Sequence, residues 1–247
     1  MSAVLLEQPR RAESTAVERL RSTRLVGWFA GVALVPMIAA HVIGAEVVNP
    51  LIDPISWYAF VPGGGEMIIA GAAVLAVLGL ILTRRMYRSG LASGPLPGIA
   101  MIIFAIALVL VGVFPTDPPD TPVTAAATIH RVSAGAAFAV LPLVGVALDR
   151  SIRRPRSGCP ALLRKSALLL GGLVATFLAI HLPLAMAGSG IAAFGFLERA
   201  GFVIMIGYLF LLARTVDQES TPTAPDAVPE VEPLPEVEPV SELARAA

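Results

Sequence analysis

At 247 residues, 56% hydrophobic, 15% charged and with a mean hydropathy of +0.78, the chain is too apolar for a soluble domain. Its zero net charge hides a division: residues 216–247 hold eight of the 18 acidic groups and one of the 18 basic ones, leaving 17 basic against 10 acidic in the body. A body of that sign suits loops that touch anionic lipid head groups, and the single cysteine, Cys159, excludes an internal disulfide and a multi-cysteine metal site.

Residues 1–24 form a polar segment in which Arg10, Arg11, Arg19, Arg21 and Arg24 alternate with Glu7, Glu13 and Glu18. A cleaved signal peptide fits less well than a retained segment. The charged region is long, the apolar run from Leu25 contains Pro36, and no small-x-small site follows it. Six apolar spans are then expected, at Leu25–Val48, Glu66–Thr83, Gly98–Phe114, Ala125–Leu148, Ser166–Ala187 and Ala192–Ala213. At about 1.5 Å per residue each can cross a hydrocarbon core of roughly 30 Å, the second and third only with a thin bilayer or extra turns. They must be helices, because lipid offers no partner for an open backbone N–H or C=O. The fold class predicted is thus all-α integral membrane: a six-helix transmembrane domain over 25–214, followed by a disordered Pro/Glu-rich tail over 215–247.

The basic residues of the loops fall on alternate sides. Arg84, Arg85 and Arg88, then Arg150, Arg153, Arg154, Arg156, Arg164 and Lys165, then Arg214 share a side with the N-terminal arginines, whereas 49–65, 115–124 and 188–191 contain none. That asymmetry predicts cytoplasmic termini in the cell membrane. Trp57 and Tyr58 outside, with Trp28 and Tyr87 inside, fit interfacial belts. Pro36, Pro142 and Pro183 interrupt spans one, four and five, and Gly171, Ala175 and Ala179 form a small-residue stripe for close helix approach. No internal repeat points to an inverted-repeat transporter. The tail repeats PEVEP at 229–233 and 235–239 and is too acidic and proline-rich to bury a core.

Chemistry centres on the turn from Gly112 to Arg131. Pro115, Pro118, Pro119 and Pro122 stop the third span, Asp117 and Asp120 favour turn geometry and a cap, and His130–Arg131 re-enter the membrane. The chain's three histidines, His41, His130 and His181, all lie in spans. His41 and His181 sit about 22 to 24 Å from the inner side and His130 about 8 Å from the outer one, so all reach a similar outer depth. Glu198 and Arg199 arrive at that layer, with Glu66 and Asp117 at its edge. Ionisable groups at such depth face a bundle interior or a hydrated cavity. The expectation is an outward-facing polar pocket built from His41, Asp117, His130, Arg131, His181, Glu198 and Arg199, with Ser56 and Glu66 as secondary members.

Such a pocket would take a lipid or small molecule. A packing network of the same groups competes with it, as do two cofactor readings: three imidazoles and a carboxylate could hold zinc in a membrane-embedded hydrolase, or two histidines could hold haem for electron transfer, with Arg131 and Arg199 on the propionates. No HExxH or other local ligand motif selects among them, and Ser56 has no demonstrated base. Besides the bilayer, no nucleic acid is expected, and the acidic tail could dock a basic protein partner.

The Ser56 segment after span one, Gly112, Phe114, Pro115, Asp117 and Pro118 closing span three, His130 opening span four, and Gly195, Glu198 and Arg199 opening span six together resemble the bacterial six-span membrane family named domain of unknown function 998. The resemblance runs roughly from Leu25 to Arg214. It implies this topology and an outward polar cluster, and no settled activity, substrate or cofactor. His41 and His181 are not among the residues that carry it, and the acidic tail lies outside it.

Overall fold

Long apolar runs with no water to satisfy their backbone close their hydrogen bonds within themselves, and the chain accordingly forms six helices long and apolar enough to cross a membrane. The computed structural model describes residues 26–118, 121–187 and 191–220. They contain α1 (Val26–Ile43), a 3-10 segment (Ile55–Phe60), α2 (Gly64–Arg88), α3 (Leu96–Val113), α4 (Ala125–Ser151), α5 (Cys159–Met186) and α6 (Phe194–Glu219), with no strand among the described residues. The N-terminal segment, Asp120 and residues 221–247 of the tail lie outside them.

Helix α3 packs between α2 and α4, α4 against α5, and α5 against α6. The core runs through Leu75, Leu78, Leu82 and Met86 of α2, Met101 and Phe104 of α3, Leu141 and Leu148 of α4, and Met205, Leu209 and Leu212 of α6. Within each helix these residues stand three, four or seven positions apart, which places them on one face. Helix α1 joins through Val26, Ala30 and Ala33. There Gly71 lets α2 approach so closely that an added Cβ would stand 3.3 Å from the Ala33 carbonyl. Helix α5 is the most peripheral, with 11% of its apolar window buried. Its Gly171 faces Pro142 of α4, which places part of the small-residue stripe at a helix contact. Helices α1, α4 and α5 run on through Pro36, Pro142 and Pro183.

Helix ends differ from the apolar spans, mostly at one end of the bundle. Helix α2 continues past Thr83 to Arg88, α4 past Leu148 to Ser151, and α6 past Ala213 to Glu219, while α5 begins at Cys159 rather than Ser166. Residues 215–219, read from sequence as tail, are therefore helical. The limit of hydrocarbon is not the limit of the hydrogen-bond ladder, and polar turns beyond it persist where side chains hold them. Arg85 pairs with Asp217, Arg164 with Asp149 at 3.8 Å, and Glu219 takes the Arg156 and Ser157 N–H groups at 2.8 and 3.0 Å. These contacts gather the described basic loop residues at one end, as their alternation predicts. At the other end α1 stops at Ile43, short of Val48. The Tyr58 ring occupies the space beside Gly44, where a Cβ would meet Tyr58 Cδ1 at 2.6 Å. The chain turns there instead, with Val47 and Val48 N–H bonded to the Gly44 carbonyl.

Gly145 is where α4, α5 and α6 meet most closely: a Cβ there would lie 2.0 Å from the Tyr208 hydroxyl and 3.0 Å from Ala167 Cβ. Tyr208 is 4% exposed, so its ring is packed in the core. Overpacking of this kind costs about 1 to 3 kcal/mol. Gly145→Ala is expected to lower the melting temperature of the detergent-solubilised protein. Gly135→Ala, with nothing within 4 Å of its added carbon, leaves it level or slightly raised.

Candidate functional site

Helix α6 begins with no side-chain cap, so its first N–H groups need outside acceptors. The α1–α2 connection supplies them: Gly195 N–H donates to the Ile52 carbonyl and Phe196 N–H to the Leu51 carbonyl, each at 3.1 Å. Gly195 is required for this approach, since a Cβ would fall 2.3 Å from the Asp53 carbonyl. One turn later Arg199 fastens the same loop. Its Nη1 donates to the carbonyls of Asp53 (2.8 Å) and Gly195 (2.9 Å), its Nη2 to the Tyr58 hydroxyl (3.1 Å), and its Nε to His41 Nε2 (2.9 Å). The guanidinium carbon also stands 5.5 Å from the centre of the Tyr58 ring, where a cation is attracted by the ring face. Because His41 Nε2 accepts from Arg199, that imidazole is neutral with its proton on Nδ1.

Glu198, adjacent on the helix, accepts the Ile55 N–H on Oε2 at 2.6 Å and so holds the first residue of the 3-10 segment. His130, on the second turn of α4, donates from Nδ1 to the carbonyls of Val111 (3.0 Å) and Phe114 (2.9 Å). Those are among the carbonyls that the end of α3 leaves without an intrahelical partner. Two carbonyl acceptors place a proton on Nδ1, and Nε2 is left free of these contacts. Ser56, Glu198 and His130 line one cavity of about 90 Å³ whose wall is otherwise apolar, with Met37 from α1, Ile68 and Leu75 from α2, Leu108 from α3, Phe138 from α4 and Met205 from α6. Ser56 and His130 are buried.

The α3–α4 turn is held by a relay. Asp117 Oδ2 accepts the Thr124 N–H at 2.8 Å and Oδ1 its hydroxyl at 2.7 Å, and Thr124 Oγ1 accepts the Ala127 N–H as the cap of α4 at 3.2 Å. These hydrogen bonds, the backbone one first, hold the Asp117 carboxyl below the usual carboxylate range.

The single polar pocket read from sequence is therefore divided. Only His130, Glu198 and Ser56 line the cavity, which is mainly apolar. His41 and Arg199 form a clasp with Tyr58, and Asp117 serves the turn. Arg131 and Glu66 are exposed. His181 stacks between Phe177 and Phe194, each centroid 5.2 Å away, with Nδ1 buried and unbonded among the described residues. The three imidazoles do not converge, and no group of three or more His, Cys, Asp or Glu among the described residues could hold a metal ion. Equal depth fixed only one coordinate; the direction each histidine faces depends on helix rotation, which depth does not reveal. Tyr58, read as an interfacial aromatic, is instead 1% exposed. Thr124 is a functional cap that the proline-rich turn signalled only indirectly.

A family model described as "Protein of unknown function (DUF998)" matches residues 29–215, a range that includes every residue of the clasp, the cavity and the turn. No curated protein matches the chain, and no solved structure does.

The Asp117 relay has a pH signature. A carboxyl whose folded pKa is depressed contributes stability above its unfolded value of about 3.9 and loses it as pH falls through the folded pKa. On acidification below roughly pH 4, the wild-type protein is expected to lose melting temperature more steeply than Asp117→Asn, which has no proton to take up. Parallel melting curves from neutral to acidic buffer would show that the relay does not contribute.

Proposed function

The chain belongs to the DUF998 family, for which no activity is described, and from its own site we propose that it is a multi-pass protein of the cell membrane that binds a small molecule with an apolar body and a hydrogen-bonding end. The observation that carries this reading is the cavity in which Ser56, His130 and Glu198, from three separate elements, meet an otherwise apolar wall. Pockets for small ligands have this composition, a hydrophobic lining with a few polar groups that fix orientation. Size bears on the ligand: the cavity, about 90 Å³, is smaller than the ~150 Å³ apolar cavity that holds a benzene molecule. A whole diacyl lipid does not fit, whereas a molecule of a few heavy atoms, or the tip of a longer one, does.

The polar groups favour binding over chemistry. Ser56, His130 and Glu198 make no hydrogen bond with one another, Glu198 is engaged by Ile55 N–H, and the His130 Nδ1 proton is committed to α3. What remains is Nε2 of His130, the Ser56 hydroxyl and the second oxygen of Glu198, a set suited to a ligand end that hydrogen-bonds, such as a hydroxyl. In the orientation set by the basic loops, the cavity lies nearer the outer surface and both termini are cytoplasmic.

Ligands that bind only the folded state raise its melting temperature. Titration of the purified protein with n-butanol, n-pentanol and n-hexanol is expected to give a saturable rise. Ala137→Leu, which fills the cavity wall, should abolish the rise, and His130→Gln should weaken it. Equal responses in wild type and Ala137→Leu would sink the binding reading. Sidedness is tested separately in intact cells: Asp120→Cys should react with an impermeant thiol reagent while native Cys159 does not, and the reverse pattern would invert the orientation.

A further inference from the structure

We propose that the acidic C-terminal segment, residues 221–247, docks on the cationic end of its own bundle, against the α4–α5 connection. Three observations meet there. The first is a surplus of exposed cations: Arg84 and Arg88 on α2, Arg150 at the end of α4, and Arg153 and Arg154 in the loop. The described carboxylates at this end are engaged elsewhere, Asp149 with Arg164, Asp217 with Arg85, and Glu219 with the N–H groups of Arg156 and Ser157. Among the described residues, no salt bridge joins these carboxylates to those five arginines.

The second is where the segment starts. Glu219 is clamped to the loop: its carboxylate accepts the Arg156 N–H at 2.8 Å, the Ser157 N–H at 3.0 Å and the Ser157 hydroxyl at 2.5 Å, while Arg156 Nη1 donates to its carbonyl at 3.0 Å. Ser220 therefore leaves α6 beside residues 156–157, a few residues from Arg153 and Arg154. The third is the sequence that follows, which carries Asp226, Glu230, Glu232, Glu236, Glu238 and Glu242 against one basic residue, Arg245.

Distance and energy are compatible. Ten residues cover between roughly 17 Å as a flexible chain and ~31 Å as an extended proline-rich one, so the loop arginines, a few residues from the point where Ser220 leaves α6, lie within the range open to Glu230. A tether of this length makes the encounter intramolecular, at an effective concentration in the millimolar range. Each exposed ion pair is worth less than about 1 kcal/mol, so docking needs several at once, and the paired PEVEP repeats present four glutamates in eleven residues. It is also sensitive to salt, because the screening length falls from roughly 10 Å at 0.1 M to 3 Å at 1 M. Anionic lipid head groups are the rival occupant of the same arginines.

The test uses the full chain in nanodiscs of neutral phosphatidylcholine, with nitroxides at Ala161→Cys and Val237→Cys in a Cys159→Ser background, and pulsed electron–electron distance measurement. A short-distance population is expected at 0.1 M salt and lost at 1 M. It should also be lost when Glu230, Glu232, Glu236 and Glu238 become Gln, and when Arg153 and Arg154 become Gln. Distance distributions that are the same in all four conditions would overturn the proposal. So would a tail that stays remote in neutral lipid while the Arg153→Gln, Arg154→Gln variant retains less phosphatidylglycerol than wild type, since the face would then belong to lipid.

Discussion

The constraint from which the rest of this architecture follows is a guanidinium held at the head of α6. A cation placed within a membrane-spanning helix is costly unless its donors are met, and Arg199 meets that requirement with fixed acceptors from three directions: the Asp53 and Gly195 carbonyls, the Tyr58 hydroxyl and His41. In doing so it draws α1, the 3-10 segment and the start of α6 onto one point. Lysine at this position could supply a charge but not the planar fork that reaches several acceptors at once. The surrounding residues are shaped to admit it, with Gly195 leaving room for the loop and Gly44 leaving room for the Tyr58 ring.

Helix α6 is thereby pinned at both ends by different chemistry. At its start the loop carbonyls and Arg199 fasten it to the α1–α2 connection. At its finish Asp217 and Glu219 fasten it to Arg85 of α2 and to the α4–α5 loop. Between these anchors its contacts are apolar, through Met205, Leu209 and Leu212. A helix fixed at both termini cannot readily slide or rotate, so Glu198 is presented to the cavity at a set height and angle. The rigidity that positions the Glu198 carboxyl thus originates more than twenty residues away as well as next door.

Much of this was legible in the sequence because the bilayer imposes simple rules. Apolar runs of the required length give six helices, and the alternation of arginines gathers Arg85, Arg150, Arg156 and Arg164 at one end before any contact is known. The polar cluster was read from sequence as one level, which says nothing of direction. Of His41, His130 and His181, one is clasped by Arg199, one caps α3 and one lies between Phe177 and Phe194. Helix rotation is decided by close packing at positions such as Gly71 and Gly145, and the hydropathy pattern of a nearly all-apolar helix hardly records it. The helix ends were obscured for a related reason: hydropathy reports where lipid stops, whereas Asp217 and Glu219 prolong α6 through partners distant in sequence.

Four polar residues at the end opposite the basic loops, Asp117, His130, Glu198 and Arg199, have a common logic. Each is bonded to backbone that a helix end or a loop leaves open: Asp117 to the Thr124 N–H, His130 to the Val111 and Phe114 carbonyls, Glu198 to the Ile55 N–H, and Arg199 to the Asp53 and Gly195 carbonyls. Chain reversals close to hydrocarbon expose N–H and C=O groups that lipid cannot satisfy, and ionisable side chains are strong enough partners to offset their own burial there. Packing and binding are consequently not rival explanations for the same residues. One atom of His130 or Glu198 serves the fold, and this fixes the remaining atom where the helices fail to fill the space between them. A cavity with oriented polar groups is the by-product of capping a membrane bundle, and the small-molecule binding proposed for it requires no change in the frame.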